Sequence, residues 1–339
     1  MASRRPGGAS IANSPRGLPT AEAQGEFRTH ALALPQDSAG LRFDQALARA
    51  LPQYSRARIA AWIASGAVQV DGRPLRGKDR VLGGEQVRIR AELPAETRLG
   101  PEAIPLEVLF RDRAILVIDK PAGLVVHPGA GNPRHTLQNA LLALDPKLAL
   151  VPRAGLVHRL DKDTSGLLLV ARTPEAYTAL TGAMAAREIT REYLTVCTGV
   201  MTGGGTIDEP IGRHRTQRTR MAVRSDGRPA VTHYRVAKRF RAHTLVRVTL
   251  DTGRTHQIRV HLAHLGFPVV GDPVYGGRRR LPAGATPALA EELRTFPRQA
   301  LHAARLKLRH PLTGREMEWE APLPSDMQRL LAALEADRA

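Results

Sequence analysis

The chain has 339 residues, room for about two domains on the usual prior of roughly 100 to 200 residues each, and its 42% hydrophobic and 24% charged composition is that of a folded soluble protein. Thirty glycines and 25 prolines stay below the level of low-complexity sequence, the single cysteine Cys197 excludes an internal disulfide or a multi-cysteine metal site, and no apolar run reaches the ~18 residues of a membrane helix. Of the 50 basic residues 44 are arginine, and 13 of the 18 net positive charges fall between residues 210 and 280, the localised field expected of a polyanion binder.

Residues 1–37 are mostly Ala, Ser, Gly, Pro and Arg, which predicts a disordered basic tail. The tail has no apolar core of a secretory signal, so a cytoplasmic protein without membrane attachment is expected. A small domain is expected over 38–92. Leu41, Leu47 and Leu51 fit a short helix stopped by Pro52; Ser55 would cap a second helix with an Ile59, Trp62, Ile63 stripe, ended at Gly66. Val68 and Val70, then Val87 and Ile89, alternate as strands, with Asp71-Gly72 as a hairpin turn. Two helices followed by a hairpin bearing Arg56, Arg58, Arg73 and Lys78 resemble the small alpha-L RNA-binding domain; solvated charges on any small domain are the plainer reading.

Residues 93–103 read as a linker, 104–330 as a catalytic-sized domain and 331–339 as a C-terminal tail. Within the large segment, β-rich runs (106–110, 115–118, 167–170, 193–197, 231–236, 245–250 and 306–308) alternate with helical stretches at 137–144 and 176–187, an α+β pattern. His158-Arg159-Leu160-Asp161-Lys162-Asp163-Thr164-Ser165-Gly166 is a polar loop running straight into an apolar strand. Asp161, flanked by His158, Arg159 and Lys162, would stay ionised there. A turn in which Asp and Thr only cap backbone amides would look the same.

The stretch Val157 to Ala171 resembles the signature of the RluA/RluD family of RNA pseudouridine synthases. Lys120 to Pro128, Arg191-Glu192-Tyr193, Gly253 to His261 and Arg298 to Ala303 are similar to the other family blocks in the same order, so the resemblance covers about residues 38 to 330. It implies a mixed, largely antiparallel central sheet with flanking helices, and conversion of uridine to pseudouridine with no cofactor or metal. It also implies site residues: Asp161 as the catalytic aspartate, Tyr193 packed on the base and serving at C5, and Arg259 paired with the aspartate. Candidates facing RNA are His158, Arg159, Arg213, Arg215, Arg218, Arg220, Arg254 and His256. The blocks Gly205 to Pro210, Pro229 to Tyr234 and Gly271 to Gly276 look most like the branch acting on large-subunit rRNA, which implies 23S rRNA in a pre-large-subunit particle as partner, uridines of the domain IV intersubunit stem-loop (helix 69) as target, and a monomer.

Three other readings compete. His256, His261 and His264 could suggest a metallohydrolase, but residues 254–271 hold no Asp or Glu to complete a site. A silent RNA-binding assembly factor would use the same basic segment; it has no need for Asp161, Tyr193 and Arg259 to converge. A synthase for tRNA or another rRNA site would share every catalytic block.

Overall fold

Alternation of apolar residues and two short helical stripes build the first part of the chain. The computed structural model describes residues 26–51, 56–93, 100–129, 132–217, 219–277 and 281–337, in two compact units that divide at residue 98. The N-terminal unit runs β1 (Glu26–Ala33), α1 (Phe43–Ala50), α2 (Arg56–Ala64), β2 (Val68–Val70) and β3 (Gln86–Leu93). Phe43, Ala46 and Leu47 of α1 and Ile59 and Trp62 of α2 bury against Val68, Val70, Val87 and Ile89, which gives this unit its own core. Ser55, the expected helix cap, lies outside the described residues.

Asp71 and Gly72 both have positive φ (48° and 80°), the geometry of a tight type I′ turn, and close Val70 onto Arg73. The expected simple hairpin is corrected here: the turn closes on Arg73, and the strand that pairs with β2 comes only after residue 85, with Val68 opposite Ile89. The expected tail over 1–37 is corrected as well. β1 pairs antiparallel with β3, Leu32 opposite Val87 and His30 opposite Ile89, because β3 would otherwise present an open edge.

The C-terminal unit runs β4 (Glu107–Arg111), β5 (Ile115–Lys120), α3 (Leu137–Leu144), β6 (Ser165–Ala171), α4 (Pro174–Ala185), β7 (Thr190–Thr198), β8 (Gly205–Asp208), β9 (Ile211–Arg213), β10 (Met221–Val223), β11 (Val231–Arg239), β12 (His243–Leu250), α5 (Gln257–His264), α6 (Pro287–Thr295), β13 (Leu301–Arg309), β14 (Glu316–Glu320) and α7 (Ser325–Ala336). One sheet has the order β4-β5-β6-β13-β7-β12-β11-β8, with β14 paired to β13, and β9 and β10 form a separate hairpin. The fold is the expected mixed, largely antiparallel sheet: only β6 and β13 run parallel, through His302 opposite Ser165 and Ala303 opposite Gly166. Gly166 makes that approach possible. Its φ is +109°, and a Cβ there would lie 2.2 Å from the Ala303 carbonyl oxygen.

β6 is buried at every position because helices cover both faces. Ala176 and Leu180 of α4 pack with Leu167 and Leu169, while Leu137 and Leu141 of α3 pack with Leu168 and Val170. Two expected boundaries are corrected. Residues 331–339 are not a tail up to 337: α7 buries Met327, Leu330 and Leu334, and the buried Asp337 accepts Arg241 and the Thr286 N–H. The end of the expected linker is also fixed, since the Gly100 carbonyl accepts the Asn139 side chain at 2.9 Å and Glu102 N–H donates to Asn139 O at 3.1 Å.

Candidate active site

Asp161 sits in the loop leading into β6, and that loop is tied down on several sides. Lys120, at the end of β5 with its side chain wholly buried, donates to the carbonyls of Pro121 (2.7 Å), Leu124 (3.0 Å) and Lys162 (3.0 Å). Burial pulls the Lys120 pKa down to about 7, against the opposing attraction of Asp163. Gly123 N–H donates to the same Lys162 oxygen, Arg298 to the Asp163 carbonyl (3.1 Å), and Gln299 to the Thr164 hydroxyl (3.2 Å). A side chain on such a loop is held in place before any ligand arrives.

The cation facing Asp161 comes from α5. Arg259 Nη1 donates to Asp161 Oδ2 at 2.9 Å, while Nε and Nη2 donate to the two oxygens of Asp272 at 2.7 and 2.8 Å. Asp272 also accepts the Val274 and Tyr275 N–H groups, at 2.8 and 3.0 Å. Burial disfavours the guanidinium charge, but Asp272 and Asp161 outweigh it and raise the Arg259 pKa. Asp272 is the mirror case: burial pushes its pKa up, and Arg259 with the backbone donors brings it net below the ordinary value. The flanking charges expected around Asp161 are therefore corrected in part. His158 Nε2 accepts the Leu169 N–H at 3.0 Å, and burial lowers its pKa to about 3, so it is a neutral bracket of the loop.

Asp161 and Arg259 open onto a cleft of about 600 Å³ that Tyr193, on β7, also lines. Burial raises the Tyr193 pKa, with Arg191 opposing and the charge of Asp161 adding, so the phenol is neutral at pH 7. Arg191, two residues earlier and buried like Tyr193, lines the same cleft. Its Nη2 reaches the Leu250 carbonyl at 3.4 Å, its Nε has no hydrogen-bond partner, and it forms no ion pair among the described residues.

The cleft also takes in Arg159, Arg254 and His256 from the expected RNA-facing set. Arg254 Nε donates to the Pro229 carbonyl at 3.0 Å, with its pKa lowered by burial and by Arg228. His256 stands just before α5, bonded to the Tyr275 hydroxyl at 2.8 Å, and burial lowers its pKa. Arg213, Arg215 and Arg220 belong to the β9–β10 hairpin, which packs on Val260 of α5 through Ile211 and Met221; Arg218 lies outside the described residues. In the N-terminal unit Arg73 and Lys78 are exposed near the type I′ turn, and Arg56 and Arg58 open α2, their side chains outside the described set. His261 is committed to Thr232 (2.8 Å) and the Glu209 carbonyl (2.9 Å), and no cluster of His, Cys, Asp or Glu suited to a metal occurs among the described residues.

Asp272 and Tyr275 were not singled out by sequence reasoning, although both lie in the Gly271 to Gly276 block. A carboxylate following a helix by several residues carries no periodic signal of which cation it will hold.

Comparison with known proteins places these residues in a wider setting. Residues 114–264 match the RNA pseudouridylate synthase family model, and residues 41–87 match the S4 domain. The chain is 56% identical over 306 residues to ribosomal large subunit pseudouridine synthase D of Xanthomonas campestris pv. campestris, covering 90% of this chain and 92% of that protein. It is 56% identical over 303 residues to the protein of the same name from Escherichia coli K12, covering 89% and 93%. Among solved structures it is similar to human RNA pseudouridylate synthase domain containing 4, with TM-score 0.54 and 28% identity over 68% of this chain and 93% of that one. Human RNA pseudouridylate synthase domain containing 1 gives 0.51 and 27%, over 69% and 96%. No helix among the described residues is long and apolar enough to cross a membrane.

Proposed function

The chain belongs to the RluA/RluD family of RNA pseudouridine synthases, and from that premise we propose that it isomerises uridines of 23S rRNA in the intersubunit stem-loop of domain IV (helix 69), with Asp161, Arg259 and Tyr193 as its reacting groups. The observation that carries the reading is the 2.9 Å contact of Arg259 with Asp161, braced from behind by Asp272, at the wall of a cleft large enough for a flipped nucleoside.

The isomerisation breaks the bond from ribose C1′ to N1 of uracil, turns the base and joins C1′ to C5. N1 gains a proton and C5 loses one, so no atom is added or removed. Asp161 acts at the sugar, as nucleophile at C1′ or base at C2′; either role needs an ionised carboxylate, and Arg259 favours that form. Tyr193 packs against the detached base, and its hydroxyl serves at C5, where the proton leaves. Extrusion of a base costs a few kcal/mol and is cheapest in loops, which favours a stem-loop over a perfect duplex.

The names of the relatives support large-subunit rRNA, and the S4-type unit and the arginines of β9–β10 would follow flanking phosphates. A tRNA or another rRNA site would use the same cleft, whereas a silent assembly factor would gain nothing from a carboxylate and arginine converging in it. The test is to map pseudouridines in the rRNA and tRNA of a strain lacking the gene. Loss confined to the domain IV stem-loop is expected. Full modification there, with a tRNA or different rRNA site unmodified, would overturn the substrate and leave the enzyme class standing.

A further inference from the structure

Tyr275 joins the arginine-bearing β9–β10 hairpin to the end of α5 that carries Arg259. Its hydroxyl accepts the Met221 N–H of β10 at 2.9 Å and is hydrogen-bonded to His256 Nδ1 at 2.8 Å. Its ring stands 5.1 Å from the guanidinium carbon of Arg259 and 5.4 Å from that of Arg220. Its own N–H donates to Asp272 Oδ1, the oxygen that also accepts Arg259 Nη2.

His256 adds a second, independent sign. It has φ +58°, a left-handed conformation uncommon outside glycine, at the first turn of α5, and its side chain makes no capping bond there. Such a conformation persists where its surroundings hold it, and the side-chain hydrogen bond that does so runs to Tyr275. Arg220, the second cation at the ring, bonds Gln217 at 2.9 Å and has a buried Nε with no partner. The ring also packs against the apolar cluster of Ile211, Ala230 and Val260.

We propose that Tyr275 is a positioning residue that makes the hairpin and the α5 terminus one body, so that RNA phosphates gripped by the hairpin arginines are placed in register with Arg259 and Asp161. This rests on the reading that those two residues are the reacting pair. Contacts remote from the reacting atoms speed the chemistry only when they are rigidly registered to it.

The test uses the full-length protein and a transcript of the domain IV stem-loop, measuring single-turnover pseudouridine formation for wild type, Tyr275→Phe, Arg215→Ala and the double variant, with melting temperatures beside the rates. Phenylalanine keeps the ring and deletes both hydroxyl bonds. The rate at saturating RNA should fall about fivefold to tenfold in Tyr275→Phe with little change in melting temperature. Arg215→Ala should weaken half-saturation on its own, and should cost less than about twofold in the Tyr275→Phe background, because the hairpin is no longer registered. If Tyr275→Phe does not fold, His256→Gly serves instead: glycine adopts the left-handed backbone without strain and has no side chain to make the bond, and the same loss of rate is expected. A Tyr275→Phe rate within about twofold of wild type, or strictly additive effects of the two substitutions, would overturn the proposal while leaving the reacting pair intact. A wild type that forms no pseudouridine in the stem-loop or in any other RNA would overturn both.

Discussion

Asp272 and Asp161 share Arg259 unequally. Asp272, with its side chain 0% exposed, takes two of the guanidinium nitrogens, and Asp161, 16% exposed, takes one. The arginine is anchored from behind and offered in front. Substituting Asp272→Asn should remove the anchor while keeping the shape. Breaking one partner of a buried pair typically costs about 3–5 kcal/mol, so the urea midpoint should drop sharply, and turnover should fall with it because Arg259 is freed to wander from Asp161. An unchanged midpoint with unchanged turnover would show that the anchor is dispensable.

Acid should destabilise the fold over a defined window. His243 and His302 are almost fully buried, and burial lowers each pKa to about 4. The unfolded chain binds these protons near pH 6.5 and the folded chain does not, so stability rises with pH between about 4 and 6.5 and is lost as pH falls through that range, by roughly 1.4 kcal/mol per unit for each histidine. Substituting His302→Gln, which can still reach Ser165 or the Ala321 carbonyl, should flatten the curve of unfolding free energy against pH. A variant curve as steep as that of wild type would count against this assignment.

Short-range signals carry much of the architecture. Asp71-Gly72, the Gly66 stop, the 137–144 and 176–187 helices, the continuous apolar runs that became β5 and β6 and the β-rich runs that became β7, β11 and β12 each follow from neighbouring residues. β1 was not legible because Glu26–Ala33 has only weak alternation, and its pairing is decided by an edge of β3 about 60 residues away. The insertion of β13 between β6 and β7 was equally hidden, since strand neighbours far apart in sequence are chosen by the whole fold. For the site, Asp161, Tyr193 and Arg259 could be named through family blocks, but local charge pointed to the wrong cations. His158 is neutral, and the guanidinium that faces Asp161 comes from 98 residues away.

The hairpin arginines should also set the salt dependence of binding. Arg215 is exposed near the tip between β9 and β10. Replacing it with alanine should lower the slope of log affinity against log salt by about 0.7 to 1 if it neutralises one phosphate. A slope unchanged in filter-binding titrations from low to high salt would remove Arg215 from the RNA contact.

The N-terminal unit has a core of its own, so deletion of residues 1–98 should leave the C-terminal unit folded. Affinity or site choice should suffer more than the single-turnover rate at saturating RNA, because that unit would hold flanking RNA and takes no part in bond breaking. A collapse of the saturating rate with affinity preserved would reverse that division of labour.

The most direct measurement compares purified wild type with Asp161→Asn on the domain IV stem-loop transcript, scoring pseudouridine formation and RNA binding in the same preparation. Removing the charge while nearly preserving shape should abolish pseudouridine formation, by at least about 10³-fold, and leave RNA affinity within a few-fold of wild type. Near-normal turnover by Asp161→Asn would contradict the assignment of Asp161 as the group that acts at the sugar.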